Sequence, residues 1–374
     1  MLLRKTESMI ILHIAPIIHN KISGLTFVIP ALVNSLHTQG VTTALLTTSS
    51  LGRYEKPQPY PIFYLKDLPF SSGIFALPKP FNQPDLIVFH SVYIFTQALI
   101  SYQAHRRKIP YIITPHGSLT QKVQQVNPVK KLIGNFFIFK KMVKNAAGIH
   151  CLTENEAIDT KKWHSSVFIV GNGIDLPPTE MVKPKQVKQQ LNFGFLGRLD
   201  IHHKGLDLLL EACAISQEKL RNAQVKVSLY GPDISGSKEK ITQLINKYQI
   251  QDLVVLKEPV WGKEKQQVWQ EIDLFLHTSR FEGHPMAVLE ALANEIPCLL
   301  TPGTNVAEEV ATTGAGWAVT ENTPTAIAHG LVNVIEHKNE LLAKGKAGRK
   351  LIENKYTWDK IGVQTLKEYQ KIIK

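Results

Sequence analysis

Short apolar runs, each followed by a turn and then an amphipathic stretch, recur along the chain. Residues 9–15, 41–47, 85–90, 109–114, 148–152 and 167–170 read as strands, rich in Ile, Val and Leu with little alternation, the pattern of strands buried on both faces. Between them, 26–38, 94–107 and 154–162 have helical spacing, and Gly40 closes the first of these. Residues 50–82, rich in Pro, Gly and aromatics, read as a long loop or excursion. After a polar, Pro-rich passage ending near Pro184, a second alternation begins at Asn192. Its expected strands are 193–196, 225–230, 253–256, 274–277 and 298–301, and its expected helices 206–214, 238–248, 264–270 and 285–293. Residues 325–374 read as mostly helical. Strands alternating with helices predict an α/β fold with parallel sheets, here in two domains.

Composition agrees with two domains: 374 residues, 44% hydrophobic and 20% charged, suffice for two cores. Charge sharpens the picture. Of the net +12, residues 1–178 carry +10, with 18 Lys and Arg against 8 Asp and Glu. That asymmetry points to an anionic partner for the first half: membrane surface, nucleic acid or acidic substrate. Cys151, Cys213 and Cys298 lie in apolar surroundings without metal-ligand spacing and read as buried thiols of a reducing, cytoplasmic compartment. No apolar run reaches the roughly 18 residues of a membrane span. Arg4 and Lys5 before an apolar run imitate a signal peptide, but His13 and Pro16 interrupt the run and no small-residue cleavage site follows, so a buried first strand is expected.

The basic excess concentrates in residues 121–147, where Lys122, Lys130, Lys131, Lys140, Lys141 and Lys144 occur without one acidic residue. Leu132, Ile133, Phe136, Phe137 and Phe139 interleave with them. One reading is peripheral attachment to an anionic membrane surface, on its cytoplasmic face. The others are a solvated lysine face over core phenylalanines, and a polyanionic acceptor. The stretch has no nucleic-acid motif, and no nucleic acid is expected as partner.

The densest chemistry lies in 279–297, SRFEGHPMAVLEALANEIP. Glu282 falls in a loop, Pro285 suits the first position of a helix, and Glu290 lies about two turns further on. Two carboxylates around a helix mouth that favours anions suit a ligand with central phosphates and hydroxyls at both ends, such as a nucleotide sugar. The alternative is a capping Glu and a solvated helix Glu. Arg198 runs off one expected strand and Lys204 opens the next helix, where phosphates bind. Ser23-Gly24 follows the first strand without a GxGxxG fingerprint, and His116 ends another strand. With no Cys/His cluster and no Asp-x-Asp pair, no metal is expected, and Arg198 and Lys204 would supply the positive charge.

Taken together these residues resemble the retaining glycosyltransferases of the GT-B group known as glycosyltransferase family 4, or group 1. The resemblance covers nearly the whole chain. It rests on Glu282-x7-Glu290, Gly197-Arg198 with Lys204-Gly205, Gly171-Asn172-Gly173-Ile174-Asp175, Thr114-Pro115-His116-Gly117-Ser118 and Tyr356-Thr357-Trp358. It implies a GT-B fold of two Rossmann-like domains with parallel sheets facing a central cleft. Residues 1–178 would bind the acceptor, 179–355 the nucleotide sugar, and 356–374 would form a helix crossing back to the first domain. Arg198 and Lys204 would hold the diphosphate, Glu290 the ribose and Glu282 the sugar hydroxyls. Gly283, His284 and the N–H groups near Met286 and Ala287 would adjoin the donor. Gly24 would contact the phosphates, His116 the sugar and acceptor, and Val260 and Trp261 the base. Two departures stand out: Ser23-Gly24 where the family often has two glycines, and His284 where an aromatic or aliphatic residue is usual.

The implied reaction is transfer, with retained anomeric configuration and without a metal or other cofactor, from a nucleoside diphosphate sugar to a glycan, lipid-linked or small-molecule acceptor, in cell-surface polysaccharide or glycolipid synthesis. Other readings are a non-catalytic nucleotide-sugar-binding paralogue, against which Glu282, Glu290, Arg198 and Lys204 speak, and a basic nucleic-acid-binding protein.

Overall fold

A computed structural model describes residues 9–17, 24–50, 52–54, 57–69, 73–125, 128–182, 189–234 and 236–373. The chain forms two compact units, Met1–Gly173 with Trp358–Lys374, and Ile174–Thr357. Each is a parallel sheet layered with helices, as the alternation predicts, and the pair matches the two Rossmann-like domains that the resemblance implies.

In the first unit the strands are β1 (Ile10–Ala15), β2 (Thr42–Thr47), β3 (Ile62–Tyr64), β4 (Leu86–His90), β5 (Tyr111–Thr114), β6 (Gly148–Cys151) and β7 (Val167–Ile169). Their order is β3-β2-β1-β4-β5-β6-β7, every pairing parallel. Successive side chains leave opposite faces of a strand. Leu12, Ile14, Ile87, Phe89 and Ile113 therefore pack on one face with Ala98, Met142 and Val143. Ile11, Val88 and Ile112 pack on the other with Leu36 and Tyr369. Leu36 belongs to helix Gly24–Thr38 and Tyr369 to helix Trp358–Ile373, so the last helix covers the first sheet. Its Tyr369 hydroxyl donates to His150 Nδ1 (3.2 Å), while His150 Nε2 donates to the Val170 carbonyl (2.8 Å). Its Trp358 ring lies over Gly173, where a Cβ would come within 2.5 Å of the indole. A glycine is required there.

Residues 50–82 are not all loop. They contain β3 at the sheet edge and single turns of 3-10 helix at Leu65–Asp67 and Gly73–Ala76. A three-residue strand is too short to show a period in the sequence.

In the second unit the strands are β8 (Leu191–Leu196), β9 (Val225–Tyr230), β10 (Val254–Lys257), β11 (Leu274–His277), β12 (Cys298–Leu300) and β13 (Gly316–Ala318). The order is β10-β9-β8-β11-β12-β13, again all parallel. The core joins Phe193, Phe195, Leu229 and Leu276 to Leu209, Leu210 and Leu331. The short β13 is absent from the sequence reading, as are helices Gln217–Asn222 and Ala307–Thr312. Ile174 and Thr357 form a parallel bridge, and Ile174 N–H donates to the Tyr356 carbonyl (2.7 Å).

Cys151, Cys213 and Cys298 are buried free thiols, and burial pushes the first two up to about 12. Among the described residues no helix is long and apolar enough to cross a membrane.

Candidate active site

In the second unit β8 and β11 are neighbours, and the loops leaving their carboxyl ends meet. Beyond β8, Arg198 is exposed. The chain then folds back through a turn in which Asp200 Oδ1 accepts from the His203 N–H (3.0 Å). Gly205 closes the turn at φ +60°, and a Cβ there would fall 2.1 Å from the Thr278 carbonyl oxygen. Thr278 Oγ1 donates to the carbonyls of Lys204 and Gly205, both at 3.1 Å. Glycine thus permits the close approach that carries Lys204 onto the β11 loop.

There the Lys204 ammonium donates to Glu282 Oε1. The same oxygen accepts from Ser279 Oγ (2.7 Å) and His277 Nε2 (3.1 Å). Burial alone would raise the Glu282 carboxyl. The Lys204 charge and the His277 hydrogen bond outweigh it and hold the group well below the usual carboxylate range. His277 is itself depressed by burial, so it donates as a neutral imidazole. Oε2 stands 4.0 Å from His203 Nε2. That histidine is stacked on Phe281 at 4.3 Å and donates to the Phe281 carbonyl (2.8 Å). Oε1 is thus saturated, and Oε2 retains acceptor capacity for a hydroxyl.

The loop is held from behind. The Asn305 amide donates to the Glu282 carbonyl and to that of Gly283 (3.3 Å). Thr301 Oγ1 and Asn322 Nδ2 both donate to the Ser279 carbonyl, at 2.8 and 3.1 Å. Arg280 forks onto Asp207 with two bonds of 2.7 Å.

The helix that follows is Met286–Ala293. Pro285 flanks it with extended backbone (φ −79°, ψ 96°), so it caps the helix from one place before Met286 and is not itself the first helical residue that the sequence predicted. The first bond runs from Val288 N–H to the Pro285 carbonyl (3.0 Å), leaving the Met286 and Ala287 N–H groups ahead of it at the positive end of the helix. Glu290 Oε2 pairs with Lys265 Nζ at 2.5 Å. Lys265 lies on helix Gly262–Glu271, directly after the half-buried Val260 and the exposed Trp261. His284 is buried, with its ring 5.3 Å from that of Tyr356. Burial pushes it down to about 4, so it is neutral.

In the first unit His116 follows β5 at φ +51°, and its Nε2 lies 3.0 Å from His90 Nδ1. The buried Glu156 fixes this turn, accepting from Gly117 N–H (2.5 Å) and Leu152 N–H (2.7 Å). Gly24 is exposed and opens helix Gly24–Thr38, and a Cβ there would meet nothing among the described residues. Ser23 lies outside the described residues.

The basic segment forms helix Pro128–Gly134, a π-helical turn Asn135–Phe139 and helix Lys140–Lys144. Leu132, Ile133, Phe136 and Phe137 are 71, 56, 79 and 70% exposed, so the reading that buried the phenylalanines fails for Phe136 and Phe137. Phe139 does pack inward, against Tyr93. Lys140 and Lys144 are exposed, Lys141 lies over the Tyr102 ring (5.8 Å), and Lys131 donates to the Val123 carbonyl. The side chains of Lys122 and Lys130 lie outside the described residues. Phe95, Leu99 and Tyr102, also exposed, line one groove with Phe137, Lys141 and Met142.

Sequence reasoning missed His203, Lys265, His277 and Glu156. Only His203, beside Lys204, carried a positional hint.

Two family descriptions match in series: Glycosyltransferase Family 4 over residues 22–177, and Glycosyl transferases group 1 over residues 178–357. A glycosyltransferase of Escherichia coli K12 assigned to colanic acid biosynthesis is 28% identical over 160 residues, 41% of this chain and 38% of the relative. The chain thus spans well under half the length of that curated relative. Sucrose-phosphate synthase from Thermosynechococcus elongatus superposes with a TM-score of 0.74 at 16% identity, covering 97% of this chain and 99% of that one. HepE of Anabaena, solved with UDP-glucose, gives 0.71 at 16% identity, covering 97% and 100%. Two parallel-sheet domains of this likeness, with both halves of the chain matched in order, place the protein among the GT-B glycosyltransferases of group 1, family 4.

Proposed function

We propose that this protein transfers a sugar from a nucleoside diphosphate sugar, with retained anomeric configuration and without a metal ion, to an acceptor presented at a membrane surface. The observation that carries the reading is the meeting of Lys204 and Glu282 at neighbouring strand ends, with Arg198 exposed on the loop that leaves β8 and the Met286–Ala293 helix following Glu282 in the chain. Departure of a nucleoside diphosphate needs charge stabilisation, which two cations and a helix N-terminus supply. On this reading Arg198 and Lys204 supply the positive charge that balances the departing diphosphate. Glu290, at the Trp261 end, takes the ribose; Glu282 Oε2 takes a sugar hydroxyl, with Gly283 and His284 adjoining the donor. Gly24 and His116 of the first unit are assigned to the phosphates and the sugar by resemblance. No protein base is invoked: on a same-face path the leaving phosphate receives the acceptor's proton. HepE, of the same fold, was solved with UDP-glucose, which favours a uridine nucleotide as the first donor to try.

The exposed Phe136 and Phe137 beside Lys140, Lys141 and Lys144 support peripheral attachment to an anionic leaflet, and hence a lipid-linked glycan or glycolipid as acceptor. The E. coli relative's assignment to colanic acid biosynthesis favours cell-surface polysaccharide synthesis. The test is a panel of nucleotide sugars screened by thermal shift and by hydrolysis, with and without excess chelator, the anomeric configuration of the product read by NMR. Stabilisation and turnover by one donor in chelator, with retention, is expected. A panel in which no donor stabilises the protein or is turned over would reject the reading.

A further inference from the structure

Three histidines of the first unit form one hydrogen-bonded chain. His13 Nδ1 lies 3.0 Å from His90 Nε2, and His90 Nδ1 lies 3.0 Å from His116 Nε2. The rings stack in series, 5.4 and 5.3 Å between centroids. Sheet register explains how they meet. His13 pairs with Val88 across β1 and β4, and His90 pairs with Thr114 across β4 and β5. Each histidine therefore stands two residues beyond the partner of the one before. A shift of two preserves the face, so the chain steps diagonally toward the carboxyl edge, where ligands of such sheets bind. His13 and His90 are fully buried and His116 is partly exposed. His150, on the next strand, stands apart, because both its nitrogens are committed to Tyr369 and Val170.

Counting protons gives the chain a direction. A neutral imidazole carries one N–H and one bare nitrogen. Two bonds along three neutral rings allow two arrangements. In one, His116 Nε2–H donates to His90 and His90 Nε2–H donates to His13, which leaves His13 with its N–H on Nε2. In the other, His13 Nδ1–H donates to His90 Nε2, His90 Nδ1–H donates to His116 Nε2, and His116 keeps its own proton on Nδ1. His13 Nε2 is buried without a partner among the described residues. An orphaned buried N–H is tolerated less than an unpaired lone pair, so the second arrangement is favoured.

We infer that His13 and His90 are positioning residues that lock His116 in its Nδ1–H tautomer, making it a neutral hydrogen-bond donor and not a general base. An isolated imidazole prefers the Nε2–H form, so the lock opposes the intrinsic tendency. The consequence for turnover rests on the proposed placement of His116 at the transferred sugar; the tautomer does not. A donor at that place can bind an oxygen of the sugar or acceptor but cannot take the acceptor's proton, which agrees with a path on which the leaving phosphate takes it.

The test is nitrogen-15 NMR of histidine-labelled full-length protein at neutral pH without substrate, with His116 assigned by loss of its signals in His116→Gln. Nδ1–H at His116 is expected in the unsubstituted protein, and Nε2–H there overturns the inference without any variant being needed. His90→Leu, with its fold checked by circular dichroism, is expected to release His116 to the Nε2–H form and to lower kcat roughly tenfold, the upper end of one neutral hydrogen bond. His90→Asn, whose amide can donate from the place of Nδ1, is expected to keep the tautomer and most of the turnover. A His116 that stays Nδ1–H in His90→Leu shows that the chain is not the cause and also overturns the inference. If the tautomer responds as expected while no nucleotide sugar is turned over, the chain stands and the proposed function fails.

Discussion

Lys204 and Glu282 are bonded to each other, and each side chain is only 12% exposed. On the proposed assignment, the cation that would face the leaving diphosphate is held by the carboxylate that would face the sugar. Lys204→Ala and Arg198→Ala are each expected to cut kcat by roughly 10²–10³-fold, the scale of losing one charge-stabilising donor. The effects of Lys204→Ala and Glu282→Gln should fall short of additive in the double mutant, because the two groups share one interaction. Steady-state kinetics of the four proteins checks both statements, and near-normal turnover by both single cation mutants would remove the diphosphate assignment.

Glu290 and Glu282 should separate kinetically. Glu290, paired with Lys265, is assigned to the ribose, which does not react. Glu290→Gln is expected to raise the donor KM roughly tenfold or more with a small change in kcat, whereas Glu282→Gln lowers kcat. The reverse pattern would exchange the two roles.

Membrane attachment should depend on both parts of the exposed segment. Each lysine near an anionic leaflet contributes about 1 kcal/mol, and inserted aromatics add to it. Co-sedimentation with phosphatidylserine vesicles should fade at high salt. It should fall when Lys130, Lys131, Lys140 and Lys141 become Gln, and fall separately when Phe136 and Phe137 become Ser. Absence of vesicle binding at low salt, with activity on a soluble acceptor intact, would exclude attachment.

The first unit should lose stability in mild acid. Burial depresses His13, His90 and His116, and holds His150 at about 4 against an ordinary 6.5. The unfolded chain then binds more protons than the folded one, so stability falls as pH drops through 6.5 toward 4. Each such histidine contributes up to about 1.4 kcal/mol per pH unit in that window. Urea unfolding followed between pH 7.5 and 5 should show the midpoint decreasing on acidification, and a midpoint that rises or stays level would contradict this.

How much of this was legible beforehand depends on sequence separation. Strands such as β1 and β4 announce themselves because parallel strands are apolar on both faces. β3 and β13, three residues each, cannot display a period. Glu282 and Glu290 were readable from their spacing across one helix start. The bond between Lys204 and Glu282 was not, because it depends on β8 and β11 being sheet neighbours although β9 and β10 lie between them in sequence. Exposure of Phe136 and Phe137 was hidden for another reason. They lie in a π-helical turn, where the 3.6-residue rule used to assign faces does not hold. The histidine chain needed register as well as order, and only His116 drew notice on its own.

The covering of the first sheet by residues 358–373 bears on how the protein is made. Ile11, Val88 and Ile112 share their core with Tyr369, Leu366 and Ile372. On a ribosome, every strand of the first unit emerges long before the helix that completes its apolar face, and the whole second unit is synthesised in the interval. The order of completion is therefore inverted: the second unit can finish while the first still waits. Nascent chains stalled before residue 358 and released to protease should yield a resistant second unit and a digested first, and equal resistance of both would show that the first sheet manages without its last helix.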